Sequence, residues 1–506
     1  MLFASVLTLL FAGAARASEP IVPDTSEECL SCQSQMSQMM DKWTNETTVA
    51  AILEDLQKNC KTEYNFMEAK ICDALVEIFV QIPPGLFEGI ETLAWPMPLA
   101  PCALVSKCHV DCCAAGAPPE QVHLSLASSD SSLMGVAWTT LEASASVVQY
   151  GLTADNLDMT ATGAIGTYTF AGWIGTLHTA TMNQLKSGTT YYYRVGDGDS
   201  SWSNVFHFQT MAPGQTFTAA VIADMGYGEA SDFVISDLLS LVDSGEIQAV
   251  IHSGDISYAD GYEPHWDNFF NKIEPIASRI PYMATPGNHE FWANFTAYKH
   301  RFFLPGVMDA GGSGDNMYYS WTMGHAHFAA MNSESPIDTA QFKDEEMEWL
   351  NQDLASVDRE QTEWIIAHFH RPMYCSSDHG CEDGALKLKE KAEPIFHEHK
   401  VDLVLQGHVH SYERSWPVYQ DQVTSKDYNS PTAPVYILQG ASGNREGNKG
   451  GYPPVEEMPD YSAVTHTEVG FALLTVAPST LDWVFYEATT ADTERKELDR
   501  ITITRN

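Results

Sequence analysis

Five short clusters hold the residues that could do chemistry. They are Asp224-Met225-Gly226, Gly254-Asp255-Ile256-Ser257-Tyr258, Gly287-Asn288-His289-Glu290, His368-Phe369-His370 and Gly407-His408-Val409-His410. Together they offer carboxylate, amide, imidazole and phenol groups, which are oxygen and nitrogen ligands suited to hard or borderline metal ions. None contains cysteine, so a closed structural zinc site is not expected. An unperturbed tyrosine ionises near about pH 10. To bind as phenolate in acid, Tyr258 needs a strongly Lewis-acidic ion such as iron(III), and the same ion would lower the pKa of a bound water. Taken by itself, Tyr258 reads as a packed aromatic.

Two ambiguities accompany these clusters. The Gly-His-x-His pattern occurs a second time, as Gly324-His325-Ala326-His327. That copy runs directly into an apolar strand, so His325 and His327 are expected to be structural. His368 and His370 lie two residues apart, on the same face of a strand, and compete for one ligand position.

Each cluster follows an apolar run that must carry it. The runs 217–223, 249–252, 282–285, 364–370 and 403–405 read as buried strands. Amphipathic stretches near 232–242, 266–276, 342–354 and 385–397 read as helices between them. This alternation predicts an α/β layered domain over 215–506, with ligand groups gathered at the carboxyl ends of the strands. The runs 328–331, 435–438, 471–476 and 483–488 add further β-structure. Residues 118–212 are different. Short alternating runs between Gly, Ser, Asp and Asn turns predict a β-sandwich of fibronectin type III character, and a linker rich in Ala, Gly and Pro precedes it.

The amino-terminal part reads as a targeting and disulfide region. Residues 1–17 have the apolar core and the Ala15-Arg16-Ala17 ending of a signal peptide. No later run of about 20 apolar residues predicts a membrane-spanning helix. Asn45 and Asn294 head glycosylation tripeptides. A secreted or lysosomal/vacuolar location follows as an expectation, and it makes disulfides the natural fate of the ten cysteines. Residues 26–112 read as a helical block with Cys29, Cys32, Cys60, Cys72, Cys102 and Cys108; six cysteines allow fifteen connectivities. Cys112 and Cys113 are extra to this set. Cys375 and Cys381 bracket a short loop and are expected to close it. With 27 basic and 67 acidic residues, the chain carries a net charge of −40. Such a surface repels nucleic acid, so a bound anion requires local cations in its cleft.

The five clusters, taken in order and with the tyrosine, resemble the purple acid phosphatases of the binuclear metallophosphoesterase superfamily. The resemblance spans roughly residues 120–500. It implies that Asp224, Tyr258 and His410 hold iron(III). It also implies that Asn288, His370 and His408 hold a divalent iron, zinc or manganese ion, with Asp255 bridging. The implied reaction is hydrolysis of phosphate monoesters by attack of metal-bound hydroxide. His289 would hold the phosphate, and His379 would serve as general acid on the substrate side. The plant enzymes commonly have a His-His pair where this chain has Asp378-His379. Glu290 is expected to orient a neighbouring ligand, and Arg414 to be structural.

The cysteine spacing of 26–112 resembles a saposin B-type domain. That resemblance implies the pairs Cys29–Cys108, Cys32–Cys102 and Cys60–Cys72, and a lipid or membrane partner, with a purely structural or pro-domain module as the alternative. Acid sphingomyelinase also joins a saposin domain to a metallophosphoesterase, so a lipid phosphodiesterase is one alternative. That group usually has Asp-x-His at the first cluster and lacks the tyrosine, so Gly226 and Tyr258 argue against it. A non-catalytic lipid-binding protein is another alternative.

Overall fold

The computed structural model describes Cys29 and residues 110–505, apart from 128–131, 213, 306–311, 335–343, 379, 382–384, 449–450 and 489–494. The signal peptide, Asn45 and nearly all of the saposin-like block lie outside the described residues. Of that block's six cysteines only Cys29 is described, and it is buried and disulfide-bonded.

A β-rich domain comes first. One four-stranded sheet runs in the order Phe206–Gln209, Thr190–Gly196, Val147–Gly151, Met159–Thr162. The other runs Glu120–Ser125, Met134–Thr140, Thr176–Met182, Ala164–Gly166. All neighbours are antiparallel. Alternate residues from both sheets, among them Val136, Trp138, Val148, Tyr193 and Val195, close on one apolar core.

The larger domain stacks two sheets. In the six-stranded sheet Tyr282–Thr285, Ala249–Ser253 and Phe217–Ile222 run parallel. They continue antiparallel into Gly470–Ala477, Thr480–Glu487 and Lys496–Thr504. The seven-stranded sheet has a parallel centre of Ala326–Ala330, Trp364–His368, Leu403–Gln406 and Val435–Gln439. Antiparallel strands flank it on both sides.

The two-residue period of a strand explains the layering. Phe328, Trp364, Ile366, Leu403, Leu405 and Ile437 share a core with the first sheet. Their neighbours Ala329, Ile365, Ala367, Val404 and Tyr436 share a second core with Leu350, Leu354, Leu388 and Phe396, which come from helices Asp344–Ala355 and Ala385–Glu398. Across the sheet interface, Phe217 meets Phe328 with ring centroids 6.4 Å apart, and Trp364 Nε1 donates to the Ala477 carbonyl at 2.8 Å. Helices Glu229–Ser244 and Pro264–Ala277 contribute Val234, Leu238, Phe269 and Ile273 to the same core as the first sheet.

A buried ion cluster joins the β-rich domain to the α/β domain. Arg301 donates to Asp267 at 2.8 Å, Tyr168 at 2.7 Å and Gln121 at 3.2 Å. Trp173 Nε1 also donates to Asp267, at 3.0 Å. Cys112 and Cys113 are both buried and not disulfide-bonded. Cys375 and Cys381 are bonded to each other.

Candidate metal centre

All five clusters meet at one edge of the stacked sheets. Parallel strands end on the same side, so Asp224, Asp255 and Asn288 leave the first sheet next to one another. His370 and His408 leave the second sheet opposite them. The backbone must curl sharply to aim these side chains. Asp224, Asp255, Tyr258 and His408 have φ of 55°, 51°, 53° and 74°. This left-handed region costs a non-glycine residue about 1–3 kcal/mol, and it persists where surrounding structure enforces it. Two motif glycines permit the close approach. A Cβ on Gly254 would lie 2.6 Å from the His370 ring, and one on Gly407 would lie 2.6 Å from Asp224 Oδ2.

The donor atoms fall into two groups. In the first, Tyr258 Oη lies 3.2 Å from Asp224 Oδ1 and 3.1 Å from His410 Nε2, and that nitrogen lies 3.6 Å from Asp224 Oδ1. In the second, Asn288 Oδ1 lies 3.1 Å from His370 Nε2 and 2.8 Å from His408 Nδ1, with the two ring nitrogens 3.3 Å apart. Asp255 Oδ2 is 3.0 Å from His370 Nε2. The ligand atoms of Asp255, His370 and His408 all lie within 4.8 Å of one another.

The surroundings fix which atom of each ring faces inward. His370 Nδ1 donates to the Ser253 carbonyl at 3.0 Å, which leaves the Nε2 lone pair free for a ligand. His410 Nδ1 does the same with the Gly447 carbonyl at 3.2 Å. Burial, with the nearby Arg371 and His370, holds the His408 pKa well below the usual histidine range, so its ring is neutral. Arg371 is itself anchored by Glu334, its Nε lying 3.0 and 2.9 Å from the two carboxylate oxygens. Glu290 acts through backbone rather than through a ligand side chain. Its carboxylate accepts N–H bonds from Asp255 at 2.9 Å, Ile256 at 3.0 Å and Gly287 at 2.8 Å.

This donor set fits a pair of cations. Two carboxylates, an amide oxygen, a phenol and three imidazoles crowd their lone pairs at 2.8–3.6 Å. Five of the seven residues are buried to 9% exposure or less, and His408 and His410 are half-buried. Burial and the Asp224 and Asp255 carboxylates push the Tyr258 phenol well above its usual range, so a phenolate there requires a cation. Oxygen and nitrogen donors with no thiolate match the hard or borderline ions expected from the sequence.

His289 stands beside the two groups. Its Nδ1 donates to Asp260 Oδ1 at 2.6 Å, and its Nε2 lies 3.8 Å from Asp255 Oδ2 and 3.7 Å from Glu446 Oε1. Burial opposes its charge, but Asp260 and Asp255 outweigh burial and hold its pKa well above the usual range. A buried imidazolium of this kind can grip an anion.

The remaining expectations separate clearly. His368 is fully buried within the protein, and neither ring nitrogen has a hydrogen-bond partner among the described residues. His370 therefore takes the central position. His325 binds Glu363 and the Gly214 carbonyl, both at 2.8 Å. His327 binds Asp353, also at 2.8 Å. The second Gly-His-x-His copy is structural. Arg414 pairs with Asp499 at 2.6 Å, away from the centre. His379 lies outside the described residues. Asp260, Asn444, Arg445 and Glu446 were not singled out from the sequence. Asp260 lies two residues beyond Tyr258, where Asp-x-x-Tyr-x-Asp spacing could have flagged it. The 444–446 segment gives no local signal.

Comparison with known proteins agrees with this geometry. Three family profiles match in order: Purple acid Phosphatase, N-terminal domain, over 119–210; Calcineurin-like phosphoesterase over 217–412; and Iron/zinc purple acid phosphatase-like protein C over 433–495. The chain is 31% identical over 419 residues to zebrafish (Danio rerio) acid phosphatase type 7, covering 77% of this chain and 91% of that protein. It is 33% identical over 372 residues to probable purple acid phosphatase 20 of Arabidopsis thaliana, covering 72% and 82%. The solved purple acid phosphatase PPD1 of yellow lupin (Lupinus luteus) superimposes with a TM-score of 0.66 at 26% identity, covering 77% of this chain and 75% of that one. The lipid phosphodiesterase and non-catalytic readings find no support among these relatives. The chain belongs to the purple acid phosphatases and is an acid phosphatase that hydrolyses phosphate monoesters at a binuclear metal centre.

Proposed function

We propose that the two ions are iron(III), held by Asp224, Tyr258 and His410, and a divalent iron, zinc or manganese, held by Asn288, His370 and His408, with Asp255 between them. The observation that carries this reading is the buried phenol of Tyr258, 3.2 Å from Asp224 and 3.1 Å from His410. Only a strongly Lewis-acidic ion keeps a phenolate in acid. When bound, the ions supply positive charge against the phosphate oxygens and lower the pKa of water at the centre.

The protein's own groups do the rest. His289 holds a phosphate oxygen through Nε2–H, with Asp260 fixing the ring. Glu290 clamps the backbone of the Asp255 and Gly287 turns, so the bridging carboxylate does not drift as charge builds on the substrate. His370 and His410 each spend one nitrogen on a carbonyl and keep the other aimed inward. His379, which falls between Cys375 and Cys381 in the sequence, protonates the departing alcohol. The enzyme works in a secreted or lysosomal/vacuolar lumen, and the amino-terminal block brings it to lipid surfaces.

The test is optical. Purified protein should absorb visible light through phenolate-to-iron charge transfer and release phosphate from an aryl phosphate in mild acid. Tyr258→Phe should lose that band. A coloured Tyr258→Phe protein, or a colourless active wild type, contradicts the iron(III) assignment.

A further inference from the structure

Four consecutive residues, Asn444-Arg445-Glu446-Gly447, each touch a different part of the centre. Asn444 gives the Asp224 carbonyl two N–H bonds, from its backbone and from Nδ2, both at 3.2 Å. Arg445 Nη2 pairs with Asp260 Oδ2, and its Nη1 lies 3.4 Å from His265 Nδ1. Glu446 Oε1 lies 3.7 Å from His289 Nε2. The Gly447 carbonyl accepts from His410 Nδ1 at 3.2 Å.

We infer that this segment is a strap that aims the phosphate-holding face, with Arg445 as a positioning residue that acts on His289 through Asp260. The inference rests on the phosphatase activity and on His289 as the phosphate-holding group. Asp260 has two oxygens and spends each once: Oδ1 takes the His289 Nδ1–H at 2.6 Å and Oδ2 takes Arg445. With Oδ1 held by His289 and Oδ2 by Arg445, the Asp260 carboxylate is anchored at both oxygens. The Asp260 carboxylate plane in turn sets the direction of the imidazole, and so where Nε2 points. Without Arg445 the carboxylate can swivel about its last bond, and Nε2 loses its aim. Among the described residues Arg445 bonds to Asp260 and His265 and to none of the seven metal-facing side chains, so its removal should leave the ions in place. Asn444 and Gly447 keep the strap attached at its two ends.

A double-mutant cycle in the full chain tests this. Arg445→Gln, Asp260→Asn and the double variant are compared by kcat/KM on para-nitrophenyl phosphate, by direct binding of inorganic phosphate, and by metal content. Arg445→Gln should weaken phosphate binding and kcat/KM about tenfold, because small misplacements of a positioned group are costly, with both ions retained. The double variant should be no worse than Asp260→Asn alone, because one residue acts through the other. Arg445→Lys should recover part of the loss, and it serves as the substitute variant if Arg445→Gln does not fold. Additive effects, an unchanged Arg445→Gln, or loss of metal from it would overturn the inference. A wild type that binds phosphate but hydrolyses nothing would instead refute the phosphatase reading, and phosphate binding across the variants would still decide the role of Arg445.

Discussion

Asp255 Oδ2 and His370 Nε2 lie 3.0 Å apart although they leave different sheets. Asp255 follows the strand Ala249–Ser253 of the six-stranded sheet, and His370 follows Trp364–His368 of the seven-stranded one. The contact is therefore a consequence of how the sheets dock, face to face with their parallel strands ending at a common edge. It also sets the proton balance of the metal-free protein.

Burial opposes a charge on His370, but Asp255 and Asp224 overcome it and raise its pKa to about 9. A pKa raised above the ordinary histidine value gives the metal-free fold a contribution that is complete below about pH 6.5 and lost as pH rises through about 9. The same proton sits on the nitrogen a metal must use. Divalent metal affinity at this position should climb about tenfold per pH unit below that pKa, with proton release on binding. Chelator competition at several pH values measures it, and an affinity independent of pH would contradict the assignment.

Glu290→Ala should destabilise the fold by at least about 2 kcal/mol, because three buried backbone N–H groups lose their acceptor. The effect should appear as a lower unfolding midpoint and as weaker metal retention, since the Asp255 turn is what Glu290 holds. An unaltered midpoint would show that the turn stands without it.

His368→Leu should keep both ions and activity, and should not lose stability. Both its ring nitrogens are buried without a hydrogen-bond partner, and an apolar replacement removes that cost. His370→Ala should lose the second ion. Metal analysis of the two variants settles which histidine serves, and the reverse outcome would invert the register.

Arg301→Met should destabilise the protein by about 3–5 kcal/mol, because it leaves Asp267, and Glu263 whose Oε2 lies 3.5 Å from Arg301 Nη2, buried without their cation. Urea unfolding with limited proteolysis at the domain junction reads this out. A stability within experimental error of wild type would mean the cluster does not join the domains.

Much of the site was legible because its donors sit directly after apolar strands, and strand ends are local features. The five clusters, the strands beneath them and the helices between were visible as hydrophobic runs and periodicity. The strands Tyr412–Ser415, Ser462–His466 and Lys496–Thr504 were not. Tyr412–Ser415 and Ser462–His466 are short and pair with strands distant in sequence, and Lys496–Thr504 is polar on one face. Strand periodicity alone did not separate His368 from His370, and only the family resemblance chose His370, because the strand stops at His368 and the turn that follows re-aims the next residues. Arg445 and Glu446 were illegible for a related reason. Their partners Asp260 and His289 lie far back in the chain, and nothing in the 444–447 tetrapeptide advertises a contact that only the sheet order creates.

On the proposed reading, seven side chains hold two ions that do the chemistry. Metal analysis of purified wild type and Asp255→Asn, with aryl phosphate hydrolysis followed through chelation and reloading, tests it most directly. The wild type should carry two ions per chain, lose activity when they are removed, and regain it when both return. Asp255→Asn should retain fewer ions and lose about 100-fold or more in kcat. A fully active protein with one ion or none, or an Asp255→Asn variant with both ions and full rate, would contradict the account.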